Sequence, residues 1–309
     1  MRVIFMGTPD FAVPSLEALL TKHEVVLVVT QPDKPKGRGK KMVPTPVKAC
    51  ALEHGIPVLQ PEKVKEPEFV EQLRSYEPDL IAVTAFGQIL SEPILEMPKY
   101  GCINVHGSLL PKYRGAAPMQ WSIIDGEKVT GITTMYMAKG LDSGDMLLKA
   151  EVEITDKDTF ATIHDKMAVT GANLLLDTLD QLEAGTLERI PQDHDAATYA
   201  PMITKETGHI DWSKNRQDII NLIRGLNPVP AAYTIYEEEV LKIFGAVISD
   251  VQADDAANGE IVAVVKKGFV VKCGDGCLLI TEVQARGGKR MMTDAYLRGH
   301  AMKEGILLQ

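Results

Sequence analysis

The sequence predicts an α/β protein: a doubly wound, mostly parallel, Rossmann-like sheet followed by a small C-terminal OB-like β-barrel. Three observations lead there. In the first half, short β-branched runs alternate with longer amphipathic stretches, as parallel strands joined by crossover helices do. Beyond residue 231 the pattern changes to short strands separated by Gly, Asp and Asn. The length of 309 residues exceeds one ordinary domain, so two cores are expected.

In chain order, the first domain should place strands at Val3–Met6, Val25–Thr30, Leu80–Thr84 and Cys102–Val105, with a further β-like run at Gly131–Met137. Thr45-Pro46 opens a helix, because a hydroxyl caps the first turn and proline lacks an N–H that has no partner there anyway. Asp158–Leu182 reads as a long amphipathic helix with Ala161, Ile163, Met167, Leu174, Leu175 and Leu179 along its apolar face. The stretch through Pro191, Asp193, Asp195 and Pro201 holds few apolar residues and suits a connector. A helix at Asn215–Arg224 follows, then strands at Ala232–Ile235, Val240–Phe244, Glu260–Val265, Phe269–Lys272 and Leu278–Val283. Five short strands fit a small barrel. The expected division is residues 1–189, a connector at 190–208 and the barrel at 209–309.

A net charge of −9 would disfavour a nucleic-acid partner if it were evenly spread. It is not. Lys34, Lys36, Arg38, Lys40, Lys41 and Lys48 fall in a stretch with no acidic residue, and Arg286, Lys289, Arg290, Arg298 and Lys303 face the single Asp294. No run of eighteen apolar residues occurs, and the N-terminus enters directly into a strand pattern without a signal-peptide layout. A cytoplasmic protein without a membrane partner is expected. Cys50, Cys102, Cys273 and Cys277 are too scattered for a disulfide framework or a zinc site and read as buried thiols.

The first turn, Gly7-Thr8-Pro9-Asp10-Phe11, lacks the second and third glycines that bring backbone up to a dinucleotide pyrophosphate, and no phosphate-cradling Gly-x-x-x-x-Gly-Lys-Ser/Thr is present. The chemistry is better sought in the segment from Gly101 to Pro118. Strand side chains repeat every two residues, so Asn104 and His106 share a face at a strand's carboxyl end, where open α/β sheets place ligands. An amide donor beside an imidazole suits attack on a carbonyl: one stabilises the oxyanion, the other moves a proton. By pattern alone, a lone histidine is more often structural, and Asn at a strand end is commonly a turn former. Lys139-Gly140-Leu141-Asp142-Ser143-Gly144-Asp145 puts a carboxylate on a glycine-bracketed loop after the Gly131–Met137 run. It reads equally as a simple turn or as support that fixes the imidazole's orientation.

Asn104, His106 and the following Ser108-Leu109-Leu110-Pro111, then Leu141-Asp142-Ser143-Gly144-Asp145, resemble the two signatures of the folate-dependent formyltransferase family. The resemblance covers the whole chain. It implies a formyltransferase-type sheet, 10-formyltetrahydrofolate as donor, direct transfer without a metal, and catalytic roles for Asn104, His106 and Asp142. Folate contacts are implied at Phe86, Gly87, Gln88, Ile89 and Leu90, at Ser108, Leu109, Leu110 and Pro111, and at Lys139, Gly140 and Leu141. Members differ in acceptor: some formylate glycinamide ribonucleotide or amino sugars, and one branch only hydrolyses the donor. The loop from Gln31 to Met42, with Lys34, Lys36, Arg38, Lys40 and Lys41, resembles the basic insertion of the branch acting on methionyl-tRNA, and the C-terminal domain matches that branch too. Initiator methionyl-tRNA is the acceptor so implied, with Arg286, Lys289 and Arg290 as further contacts and no obligate protein partner. Arginine in such a loop can fork to phosphates or base edges.

Overall fold

The structure, a computed structural model, describes residues 1–36 and 41–309, Lys36 and Lys41 as backbone only. The chain forms two compact units. Met1–Gly115, Val129–Glu153 and His164–Ala200 make the first, and Ala116–Lys128, Ile154–Ile163 and Pro201–Gln309 the second.

The strands of the first unit are β1 (Arg2–Gly7), β2 (Glu24–Val29), β3 (Lys34–Lys36), β4 (Lys41–Val43), β5 (Val58–Leu59), β6 (Leu80–Thr84), β7 (Cys102–His106), β8 (Arg114–Gly115), β9 (Val129–Tyr136), β10 (Met146–Glu153) and β11 (Tyr199–Ala200). Among the described residues the main sheet runs β10-β9-β7-β6-β1-β2-β5. β5, β2, β1, β6 and β7 are parallel, as the buried β-branched runs predict for β1, β2, β6 and β7; the two-residue β5 was not expected. β9 lies antiparallel to β7 and to β10, so the sheet ends in a hairpin whose second strand the sequence pattern did not reveal. Chain order reverses beside β1: β2 and β5 build one way, β6 and β7 the other. The crevice at the strand ends there is where such a sheet receives ligands.

Helices α1 (Val13–Leu20), α2 (Pro46–Glu53), α3 (Pro67–Arg74) and α4 (Glu92–Leu95) serve the crossovers. Thr45 caps α2 as expected, its hydroxyl accepting from Lys48 N at 3.1 Å. One core layer joins Ile4, Met6, Leu27, Val29, Val83, Phe86, Leu90 and Ile94. The basic segment expected as an irregular loop instead carries an antiparallel pair, β3 against β4.

Helices α5 (Pro118–Ile124), α6 (Phe160–Ala184), α7 (Arg216–Gly225) and α8 (Thr293–Leu297) follow in the chain, α6 matching the long helix expected. In the second unit Asn215 caps α7, accepting from Asp218 N at 2.8 Å. β12 (Ala232–Tyr236), β13 (Glu239–Ser249), β14 (Ile261–Val265), β15 (Gly268–Cys273) and β16 (Gly276–Ala285) pair antiparallel in the order β12-β13-β16-β15-β14, with β17 (Met291–Met292) added on β16. Trp212, Ile219, Ile223, Phe269 and Ile280 fill the core. The last residues reach both outer strands: Ile261 N donates to Ile306 O at 2.9 Å, and Gln309 N donates to Ile235 O at 3.1 Å. No helix among the described residues is long and apolar enough to cross a membrane.

Candidate active site

β6 and β7 are parallel neighbours, so the loops that leave them open on one edge of the sheet. β7 ends in Asn104-Val105-His106. His106 is buried, and its Nε2 lies 3.0 Å from the carbonyl oxygen of Tyr113. A carbonyl can only accept, so Nε2 carries hydrogen, and Nδ1 is left as the nitrogen that can take or release a proton. That nitrogen faces Asp142, with Oδ2 at 3.7 Å. The structure thus brings together an imidazole and a carboxylate 36 positions apart in sequence. No hydrogen bond of the Asn104 carboxamide is found among the described residues, although Asn104 is half-buried at the same strand end.

Asp142 lies on the loop between β9 and β10 and has φ +44°, a left-handed conformation that costs a residue with a side chain about 1–3 kcal/mol. The cost is met by bonds. Gly115 N donates to Oδ2 at 2.8 Å, and Gln192 Nε2 donates to the carbonyls of Asp142 and Gly144 at 2.8 and 2.7 Å. Gln192 Oε1 in turn accepts from Arg114 Nε and Nη2 at 3.0 and 2.6 Å. Gly115 must be glycine twice over: its φ is +117°, and a Cβ there would stand 2.8 Å from Ala200 O.

Of the residues expected to hold folate, Ser108 and Leu110 are buried and shape the loop rather than line its surface. Ser108 Oγ donates to Lys112 O at 2.6 Å, Leu110 N to Thr133 Oγ1 at 3.1 Å, and Lys149 Nζ to Leu110 O at 2.6 Å. Burial lowers the Lys149 pKa. Leu109 and Pro111 are half-buried. Phe86 and Leu90 point into the core, and Gln88 is bonded to Val64 N and Pro61 O. Gly87, Lys139, Gly140, Leu141 and Ile89 are exposed, Ile89 by 83%. Two large apolar side chains, Ile89 and Leu141, therefore stand in solvent on loops that the resemblance assigns to folate.

The family model described as "Formyl transferase" matches residues 1–179, and "Formyl transferase, C-terminal domain" matches residues 202–301. The chain belongs to the formyl transferase family. A relative named methionyl-tRNA formyltransferase, from Acetivibrio thermocellus, is 54% identical over 309 residues, covering 100% of this chain and 99% of its own length. Among solved structures, an N-formyltransferase from Helicobacter canadensis with folinic acid and dTDP-3-aminofucose superposes with TM-score 0.67 at 19% identity, over 93% of this chain and 100% of that one. HypX from Aquifex aeolicus with tetrahydrofolic acid superposes with TM-score 0.65 at 18% identity; it covers 96% of this chain, which spans 47% of HypX. At that identity both solved structures speak for the fold alone.

The formyltransferase's two basic clusters differ in detail. Lys34 is exposed on β3, and the backbones of Lys36 and Lys41 are register partners in the β3–β4 pair. Arg38 and Lys40 lie outside the described residues. In the second unit, Arg286 sits 3.4 Å from Glu239, Arg298 3.2 Å from Asp294 and Lys303 3.4 Å from Glu237. Arg290 forks onto Glu282 at 2.7 and 2.8 Å, bonds Asn227 at 3.0 Å and stacks on Phe244 at 4.3 Å. Lys289 is exposed. No group of three or more His, Cys, Asp or Glu residues placed to hold a metal occurs among the described residues.

Sequence reasoning missed the residues that hold the site: the Tyr113 carbonyl, the Gly115 amide, Arg114, Thr133, Lys149 and Gln192. Arg114 lay inside the informative segment without a role. Nothing in the pattern around Gln192 signals its partner 78 positions away.

Proposed function

We propose that the chain transfers the formyl group of 10-formyltetrahydrofolate to the α-amine of initiator methionyl-tRNA, in the cytoplasm. The observation that carries this reading is 54% identity over the whole chain with a methionyl-tRNA formyltransferase. Asn104, His106 and Asp142 supply the chemistry. The donor brings a formyl carbon bonded to N10. The uncommitted carboxamide of Asn104 donates to the formyl oxygen as the neutral amine attacks and negative charge builds there. His106, whose Nε2 is held by Tyr113, takes the amine's proton at Nδ1 and returns it to N10. One carbon–nitrogen bond forms, one breaks and one proton moves, so no further reactant is needed. Asp142 keeps the ring facing this exchange.

Folate contact falls to the exposed Gly87, Ile89, Lys139, Gly140 and Leu141, with the buried parts of Phe86–Leu90 and Ser108–Pro111 setting the backbone on which it rests. Catalysis belongs to residues 1–189, RNA contact is shared between the basic segment of that domain and residues 209–309, and 190–208 is the connector. Lys34, Lys36, Arg38, Lys40 and Lys41 meet the acceptor RNA, and Arg286 and Lys289 add contacts from the C-terminal domain. The test is incubation with charged initiator tRNA and formylated folate: N-formylmethionine is expected. Formylation of a sugar or ribonucleotide amine, with charged tRNA untouched, would transfer the reading to another acceptor.

A further inference from the structure

Three consecutive residues hold the pair at the centre of the site. The carbonyl of Tyr113 fixes His106, the amide of Gly115 fixes the carboxylate of Asp142, and between them the side chain of Arg114 fixes Gln192. Gln192 closes this ring. Its NH2 group has two hydrogens and spends both, on the carbonyls of Asp142 and Gly144. Its oxygen faces the Arg114 guanidinium, so a flipped carboxamide would set oxygen against two carbonyls and NH2 against a cation, and its orientation is unique. Gln192 and Arg114 are 6% and 3% exposed, which leaves water little room to substitute for either.

The segment that carries Gln192 is itself tied to both loops. Ile190 exchanges two backbone bonds with Met146, just past the Asp142 loop, at 2.8 and 2.9 Å. Thr198 accepts from Tyr113 N and Arg114 N, each at 2.8 Å, and β11 pairs with β8.

We infer that Gln192 is a positioning residue of the transfer reaction: oriented by Arg114, it holds the Asp142 loop in its left-handed conformation through its own Nε2 bonds, so that the carboxylate faces His106. This rests on the proposed formyl transfer. A carboxylate displaced by about 1 Å in such a site loses rate on the order of 100-fold.

The test uses two variants of the full chain. Gln192→Glu keeps an acceptor for Arg114 and loses both donors, and Gln192→Met loses donors and acceptor while keeping length. In each, kcat should fall roughly 10- to 100-fold, with KM for donor and for charged tRNA within about twofold and circular dichroism unchanged. Combining Gln192→Glu with Asp142→Asn should cost little beyond Asp142→Asn alone, because both disable one contact. Near-wild-type kcat in either folded variant, or fully multiplicative losses in the double variant, overturns the assignment. Failure of both variants to fold also overturns it, making Gln192 a purely structural residue. The 15N resonance of His106 Nδ1 supplies a readout that does not depend on the acceptor. It should move in the same direction in Gln192→Glu as in Asp142→Asn. An unmoved resonance sinks the positioning role even if N-formylmethionine is made. A moved resonance in a protein that makes none leaves the positioning intact and discards the acceptor.

Discussion

The sheet edge that carries Asn104 and His106 and the basic patch of the C-terminal domain spend their polar groups in opposite ways. At the sheet edge the surrounding groups are committed, Tyr113, Gly115, Arg114 and Gln192 each to a named partner, and the carboxamide of Asn104 is left over. In the patch, Arg286, Arg290, Arg298 and Lys303 all sit against carboxylates. A count of charges cannot see this difference. What matters for a ligand is which groups the fold has already used, and how cheaply they can be released: exposed ion pairs are worth about 0–1 kcal/mol, so phosphates can displace them, whereas a buried, fully bonded carboxamide does not let go.

The sharpest break would come at the sheet edge. Asn104→Ala and His106→Ala should each lower turnover on the order of 100- to 10,000-fold with far-UV circular dichroism unchanged. A near-wild-type rate in either would remove it from the chemistry, and with it the meaning given to its uncommitted atoms.

The next comparison sets Arg290 against its neighbour Lys289. Arg290 is committed to Glu282, Asn227 and the ring of Phe244. Arg290→Ala should therefore destabilise the protein by about 1–2 kcal/mol, while the exposed Lys289→Ala leaves the melting temperature alone and acts on RNA affinity. Equal thermal stability for the two would show that the network counts for little.

A finer contrast lies between Lys34 and Arg298. Lys34→Ala should flatten the salt dependence of tRNA binding by roughly 0.7–0.9 in log–log slope. Arg298→Ala should flatten it less, because it also frees Asp294. Identical slopes for both variants and wild type would strip the basic segment of its assigned role.

His23 tests the same idea where a group is unspent yet enclosed. Neither ring nitrogen has a hydrogen-bond partner among the described residues. Burial, and then the N-terminal ammonium, holds its pKa below the usual imidazole value. The folded state therefore resists a proton that the unfolded chain accepts. Stability is complete above pH about 6.5 and falls as pH drops below it. His23→Leu should shrink the loss of melting temperature between pH 7.5 and 5.5; an unchanged loss would assign acid sensitivity to other groups.

Much of this was legible beforehand because local chemistry announces itself. A hydroxyl followed by proline places the start of α2, β-branched runs place the parallel strands, and alternation puts Asn104 beside His106 on one face. Features made by distant partners were not. β8 and β11 are two residues each and show no periodicity. Gly37 and Gly39 lie in the basic segment, so by sequence it reads as a loop. Gln192 sits in polar surroundings that look like any connector, and its role follows from the carbonyls it meets. The resemblance to folate-dependent formyltransferases supplied the motif roles, but not the atoms that hold the motifs in place.

The reach of the final residues onto β12 and β14 bears on how this protein behaves in concentrated solution. Both strands stand at the ends of the sheet order β12-β13-β16-β15-β14, where outward N–H and C=O groups need partners; on β12, Ile210 N already meets Tyr233 O. Leu308 N donates to Gly259 O just before β14, Ile306 O accepts from Ile261 N, and Gln309 exchanges two bonds with Ile235 on β12. One short tail therefore reaches both edges of the sheet. Unpaired edge groups invite strand-to-strand association, and loss of the residues from Gly305 onward would expose those of Ile235 and Ile261.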